Sequence, residues 1–109
     1  MKHYAVAQIV VTDPSWVRDY VANVTGIVER HGGKYLARTS QIQTFEGEQR
    51  TEEVIVLIEW PSKEIAEVFY ESEEYRPYRQ SREQGAENRF LLVAGEDVAK
   101  LAQMEGAGA

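Results

Sequence analysis

Arg76, Arg79 and Arg82 stand three residues apart in the stretch EEYRPYRQSREQGAENRF, with Tyr75 and Tyr78 between them. Guanidinium groups fork onto carboxylates and phosphates, and phenols donate to the same acceptors. The pattern therefore suits gripping an anionic ligand, touching nucleic acid, or facing water. Placed on a helix, Tyr75, Tyr78, Arg82, Gly85 and Ala86 fall together, with Arg79 at the margin. Arg76, Gln80, Glu83 and Gln84 face the other way. Arg76 is expected to be solvated and Arg79 to pair with Glu83 one turn on. Arg82 shares its face with phenols and small residues, where an unpaired guanidinium is costly. It needs either an internal carboxylate or carbonyl, or an anionic group from a ligand.

Two further groups could move a proton. His31 projects onto the apolar stripe of the first helix in its last turn, where the helix dipole favours its charged form. Glu59 follows Ile55 and Leu57 on one strand face and is a candidate partner for Arg38 or Arg82, unless it lies beyond the sheet's edge. Glu46, Glu48, Glu52 and Glu53 crowd one turn, as expected of a solvated hairpin tip. His3 and His31 are the only histidines, with no H-x-x-x-H or H-E-x-x-H spacing, so no metal site is expected. There is no phosphate loop, no G-x-G-x-x-G and no G-x-S-x-G, and no cofactor is implied.

The composition narrows the classes. At 109 residues the chain suits one domain, and 18 acidic against 12 basic residues give a net charge of −6. That balance argues against a general polyphosphate or nucleic-acid binder. The absence of cysteine excludes disulfides and a thiolate nucleophile. MKHYAVAQIVVTDP lacks the apolar core of a signal peptide, and no run approaches membrane-spanning length. A cytoplasmic location is the expectation, which also discounts the sequon Asn23-Val24-Thr25.

The elements that must position these residues alternate clearly. HYAVAQIVVT reads as a strand, and Asp13-Pro14 caps a helix whose Trp16, Val17, Tyr20, Val21, Val24, Ile27 and Val28 form one stripe. Gly32-Gly33 stops it. KYLARTSQIQTF and EEVIVLIEW read as strands joined around EGEQRT. Pro61-Ser62 opens a second helix, another runs from near Pro77 to Gly85, and RFLLVAG is the last strand. The order predicts a ferredoxin-like α+β domain over residues 1–97, βαββαβ with one four-stranded antiparallel sheet and helices on one face. Residues 98–109 read as a tail, partly helical and then mobile. Strands one, three and four are apolar on both faces, so the face without helices needs a cover. A second copy of the same sheet supplies it, giving a homodimer. An RNA-binding sheet would show aromatics where Val54, Val56 and Ile58 stand.

HGGKYLAR, FEGE, the run from Val54 to Asp97 and the opening YAVAQIVVTDP together resemble the family of domain of unknown function 1330, over roughly residues 3 to 97. Gly32, Gly33, Tyr35, Arg38, Glu46, Phe69, Ser72, Tyr75 and Arg82 match its pattern. Glu73-Glu74 stands where that family often has a proline. The resemblance implies the dimeric α/β-barrel group, in which two ferredoxin-like sheets face each other, and no particular reaction. Arg38, Ser72, Tyr75 and Arg82 carry polar groups that could converge on a cleft. The expectation is a dimeric binder or enzyme for a small anionic organic molecule, with Arg82 as clamp, Arg38, Tyr75 and Ser72 as donors, and His31 or Glu59 as proton acceptor. The rival is a non-catalytic sensor, carrier or structural dimer with Arg82 in an internal salt bridge.

Overall fold

The computed structural model describes residues 1–99. Four strands, β1 (His3–Val11), β2 (Lys34–Thr39), β3 (Glu53–Trp60) and β4 (Ala86–Ala94), form one sheet in the order β2-β3-β1-β4, every neighbouring pair antiparallel. Three helices, α1 (Val17–Arg30), α2 (Lys63–Tyr70) and α3 (Arg76–Gly85), complete the ferredoxin-like α+β fold. The tail beyond Ala99 lies outside the described residues.

Local chemistry sets the element ends. The Asp13 carboxylate accepts from the Ser15 amide at 3.0 Å, and Pro14 starts a single 3-10 turn that runs into α1. Ser62 caps α2 by accepting from the Ile65 amide at 3.2 Å. Gly32 takes φ +94° directly after α1, a conformation that favours glycine. Gly33 has a different reason to be glycine. A Cβ there would lie 2.7 Å from Val28 Cγ1 and 2.8 Å from Trp60 Cη2.

The register builds two faces from the alternation. On the helix side Leu92, Ala5, Ile58 and Tyr35 form one row across the sheet, and Phe90, Ala7, Val56 and Arg38 form the next. Tyr35 and Arg38 share that side although three residues apart, because β2 carries a register irregularity between Tyr35 and Ala37. Val24, Ile27 and Val28 from α1, and Ala66 and Phe69 from α2, pack onto Ala5, Ile58 and Trp60. The opposite side carries Tyr4, Val6, Val10, Ile55, Leu57, Leu91 and Val93, and none of α1, α2 and α3 covers it among the described residues. Val93 is 46% exposed.

β2 is shorter than its sequence suggests, ending at Thr39 rather than reaching Phe45. Thr39 Oγ1 accepts from the Gln41 amide at 2.9 Å, a local turn that takes the place of ladder pairing. Phe45 is 87% exposed in the loop that follows.

Candidate functional site

Ala7 lies at the centre of the sheet between Val56 and Phe90, and a methyl group there fills little of the space beneath α1. The result is a cavity of about 220 Å³ between α1 and the helix side of the sheet. Ala7, Ile9, Val54, Val56 and Ile58 line it from the strands, and Val17, Val24 and Val28 from α1. Its walls are overwhelmingly apolar. Polar groups occur at the rim, where Thr25, Arg38 and Ser40 stand, and at three phenols, Tyr20, Tyr35 and Tyr75. Among the described residues, Arg38 is the only charged one in the lining.

Tyr20 on α1 and Tyr75 before α3 bring their hydroxyls to 2.6 Å. Tyr75 is fully buried and stacks on Phe69 with centroids 4.4 Å apart, while Trp16 meets the Tyr20 ring edge-on. Behind the pair stands Arg82, 1% exposed. Its Nη2 donates to the Tyr75 hydroxyl at 3.3 Å and its Nη1 to Asn88 Oδ1 at 2.8 Å, and Nε has no acceptor among the described residues. No carboxylate of the described residues lies within ion-pairing distance of it. Burial works against its charge, while charge interaction and hydrogen bonding with Tyr75 and Tyr20 raise its pKa above the ordinary guanidinium value. Among the described residues, the hydrogen-bond partners of this buried cation are Tyr75 and Asn88, both uncharged at neutral pH.

The phenols respond to the same surroundings. Burial, and then the neighbouring Tyr75, push the Tyr20 hydroxyl well above its ordinary pKa of 10.0, against an opposing pull from Arg82. Burial also raises Tyr35, with Arg38 opposing. Arg38 lays its guanidinium 3.9 Å from the Tyr35 ring centroid and donates to Thr25 Oγ1 at 2.6 Å, which fixes it at the rim.

Of the residues singled out by sequence, the structure brings Tyr75 and Arg38 to the cavity and sets Arg82 one residue behind its wall. Arg82 does not line the space and is not placed to clamp a ligand directly. Nor does it form the internal salt bridge of the rival reading. Ser72 stands apart from the cavity, where Oγ donates to the Phe69 carbonyl at 2.7 Å and accepts from the Tyr75 amide at 3.4 Å. It ties the end of α2 to the start of α3 and so fixes Tyr75. His31 is also outside the lining, with Nδ1 2.8 Å from the Ile27 carbonyl and 3.7 Å from Glu74. Glu59 lies on the opposite side of the sheet, across from Tyr4 and Lys34, and pairs with Lys2 at 3.4 Å rather than with Arg38 or Arg82. Arg79 donates to the Tyr70 carbonyl at 3.0 Å and lies 3.9 Å from Glu71, not against Glu83. Arg76 pairs with Glu73 at 2.9 Å.

Tyr20 and Asn88 were not singled out by spacing. Tyr20 sits within the apolar stripe of α1, and its signal was the hydroxyl itself, which must find a partner once buried. Among the described residues no cluster of three or more His, Asp or Glu forms a metal site, and no helix is long and apolar enough to cross a membrane.

The strand order and the helices are those of a ferredoxin-like α+β fold, which solved structures share. It belongs to the family described as Domain of unknown function (DUF1330), which it matches over residues 2–96. No curated protein matches it. Among solved structures, it is similar to a protein of unknown function from Rhodopseudomonas palustris, with a TM-score of 0.72 and 16% identity over 88% of this chain and 83% of that one. SnoaB, a cofactor-independent oxygenase from Streptomyces nogalater, superposes with a TM-score of 0.64 at 10% identity, covering 88% of this chain and 94% of that one. A conserved protein from Methanosarcina mazei gives a TM-score of 0.60 at 16% identity, over 88% and 94% of the two chains. At such identities the likeness is one of fold.

Proposed function

We propose that the protein binds a small, predominantly apolar organic molecule with an anionic or strongly accepting oxygen, held in the cavity beneath α1. The observation that carries this reading is the cavity itself, about 220 Å³ of space with apolar walls and a few polar groups at its rim and phenols. An apolar cavity of about 150 Å³ is enough to take up benzene, so one substituted ring or a short branched chain is the fitting size. The charge preference follows from the lining, where among the described residues Arg38 is the one charged side chain and no carboxylate is present. His31 and Glu59 take no part in this reading, because both lie away from the cavity. A role as carrier or sensor satisfies the same geometry, and the similarity to a cofactor-independent oxygenase makes cofactor-free chemistry the alternative to test next.

The binding unit is proposed to be a homodimer closed over the uncovered sheet face. Leu57, Leu91, Val6 and Ile55 form a contiguous apolar surface there. A surface of that kind on a small protein marks an interface, and a copy of itself is its cheapest complement. Native mass spectrometry on freshly purified protein tests both statements. A dimer carrying a reproducible small adduct supports them. A monomer at micromolar concentration contradicts the dimer, and failure of a panel of small apolar acids and phenols to bind contradicts the cavity reading.

A further inference from the structure

The hydrogen atoms of the Tyr20–Tyr75 pair do not all have acceptors. The two hydroxyls carry two protons, and their mutual bond at 2.6 Å uses one, whichever oxygen donates. Arg82 can only donate, and it donates to Tyr75 at 3.3 Å. No other described residue accepts from either hydroxyl. One phenolic proton is therefore left over, on a residue that lines the cavity. Buried donors find partners in folded proteins, so this proton calls for an acceptor oxygen beyond the described protein groups.

The charge count points the same way. Arg82 is a buried cation whose partners are a phenol and an amide, and one of its nitrogens has no partner. Its field falls on Tyr75 and through it on Tyr20, a chain in which each donor strengthens the next. Among the described residues no carboxylate within 4.0 Å opposes that field, and none lines the cavity. The charge that the lining itself carries among the described residues is Arg38 at the rim, which is positive.

From the leftover proton and the uncompensated cation we infer that the Tyr20–Tyr75 pair, backed by Arg82, binds the oxyanion of a phenol or enol, the rest of the ligand filling the apolar space. This rests on the cavity reading above and adds to it the polar end of the ligand. Arg82 acts here as a positioning residue, through Tyr75, and not as a direct contact. The bound form is the anion, so below the ligand's own pKa binding releases one proton to solvent.

Two probes of nearly equal shape, 4-nitrophenol and nitrobenzene, separate the two claims. Nitrobenzene reports the apolar space alone, whereas 4-nitrophenol adds an ionisable oxygen whose anion is coloured. The wild-type protein is expected to bind both, the phenol roughly tenfold more tightly, as for one charge-assisted hydrogen bond. The bound phenol is expected to show its anion colour at a lower pH than the free phenol. In Tyr20→Phe/Tyr75→Phe the preference falls to within about twofold while nitrobenzene affinity is retained. If that double variant does not fold, the wild-type titration and Tyr20→Phe alone carry the test. Binding of both probes with equal affinity and no shift in ionisation overturns the oxyanion inference and leaves the cavity reading standing. Binding of neither overturns both.

Discussion

Arg82 and Asn88 hold each other across the junction of α3 and β4. Arg82 Nη1 donates to Asn88 Oδ1 at 2.8 Å, and Asn88 Nδ2 donates back to the Arg82 carbonyl at 3.3 Å and to the Ala86 carbonyl at 3.0 Å. The exchange fixes the guanidinium while it satisfies backbone carbonyls at a helix end. A side chain six residues away in sequence thus holds the cation behind the tyrosine pair.

Removing that side chain should be felt throughout the site. Asn88→Ala withdraws the acceptor from a buried cation and is expected to cost about 1–3 kcal/mol. Urea unfolding should show a lower midpoint with an unchanged m-value. Asn88→Asp keeps the acceptor oxygen and places a charge beside Arg82, so its loss should be the smaller. An Asn88→Ala midpoint equal to that of the wild type would show that the exchange contributes nothing.

The two glycines after α1 should respond oppositely to asparagine. Gly32→Ala is expected to cost about 1–2 kcal/mol through its positive φ, and asparagine, which tolerates that conformation, should recover part of the loss. Gly33→Ala is expected to cost about 1–3 kcal/mol by overlap with Val28 and Trp60, and Gly33→Asn should be worse because it adds bulk. Thermal melts of the four variants decide the matter. Asparagine helping at position 33 would contradict the close approach of Val28 and Trp60 to this backbone.

Tyr20 should make stability sensitive to alkaline pH. Its folded pKa is raised above 10.0 by burial, so the folded state holds this proton more tightly than the unfolded chain does. The contribution is fully present below pH 10.0 and is lost as the pH rises from there through the folded pKa. Melting temperatures taken from pH 8 upward should fall more steeply above that point in the wild type than in Tyr20→Phe. Parallel curves would mean that Tyr20 titrates as it does in the unfolded chain.

The sequence made the architecture legible because its signals were redundant. Ala5, Ala7 and Ile9 alternate against Tyr4, Val6 and Val10, and Asp13-Pro14, Gly32 and Ser62 mark element ends through local chemistry that tertiary contacts do not override. The site was less legible because it depends on what the alternation omits. Periodicity put Ala7 on the buried face but not its role in leaving a cavity, which emerges only when Val56 and Phe90 flank it. Tyr20 and Tyr75 are 55 residues apart, and nothing local announces their bond. Arg38 reaches the helix side through an irregularity in β2 that alternation cannot foresee. Glu59 followed the strand period faithfully, and that same period carried it to the face away from Arg82.

Filling the cavity from its floor tests the central claim most directly. Ala7→Leu places three more carbons where Val56 and Phe90 flank the space, and leaves Tyr20, Tyr75 and Arg82 themselves unchanged. Calorimetric titration with nitrobenzene should give binding with a negative heat-capacity change in the wild type. In Ala7→Leu that binding should be lost, with the melting temperature held or raised. Unchanged affinity in a folded Ala7→Leu protein would place the ligand elsewhere and contradict the account.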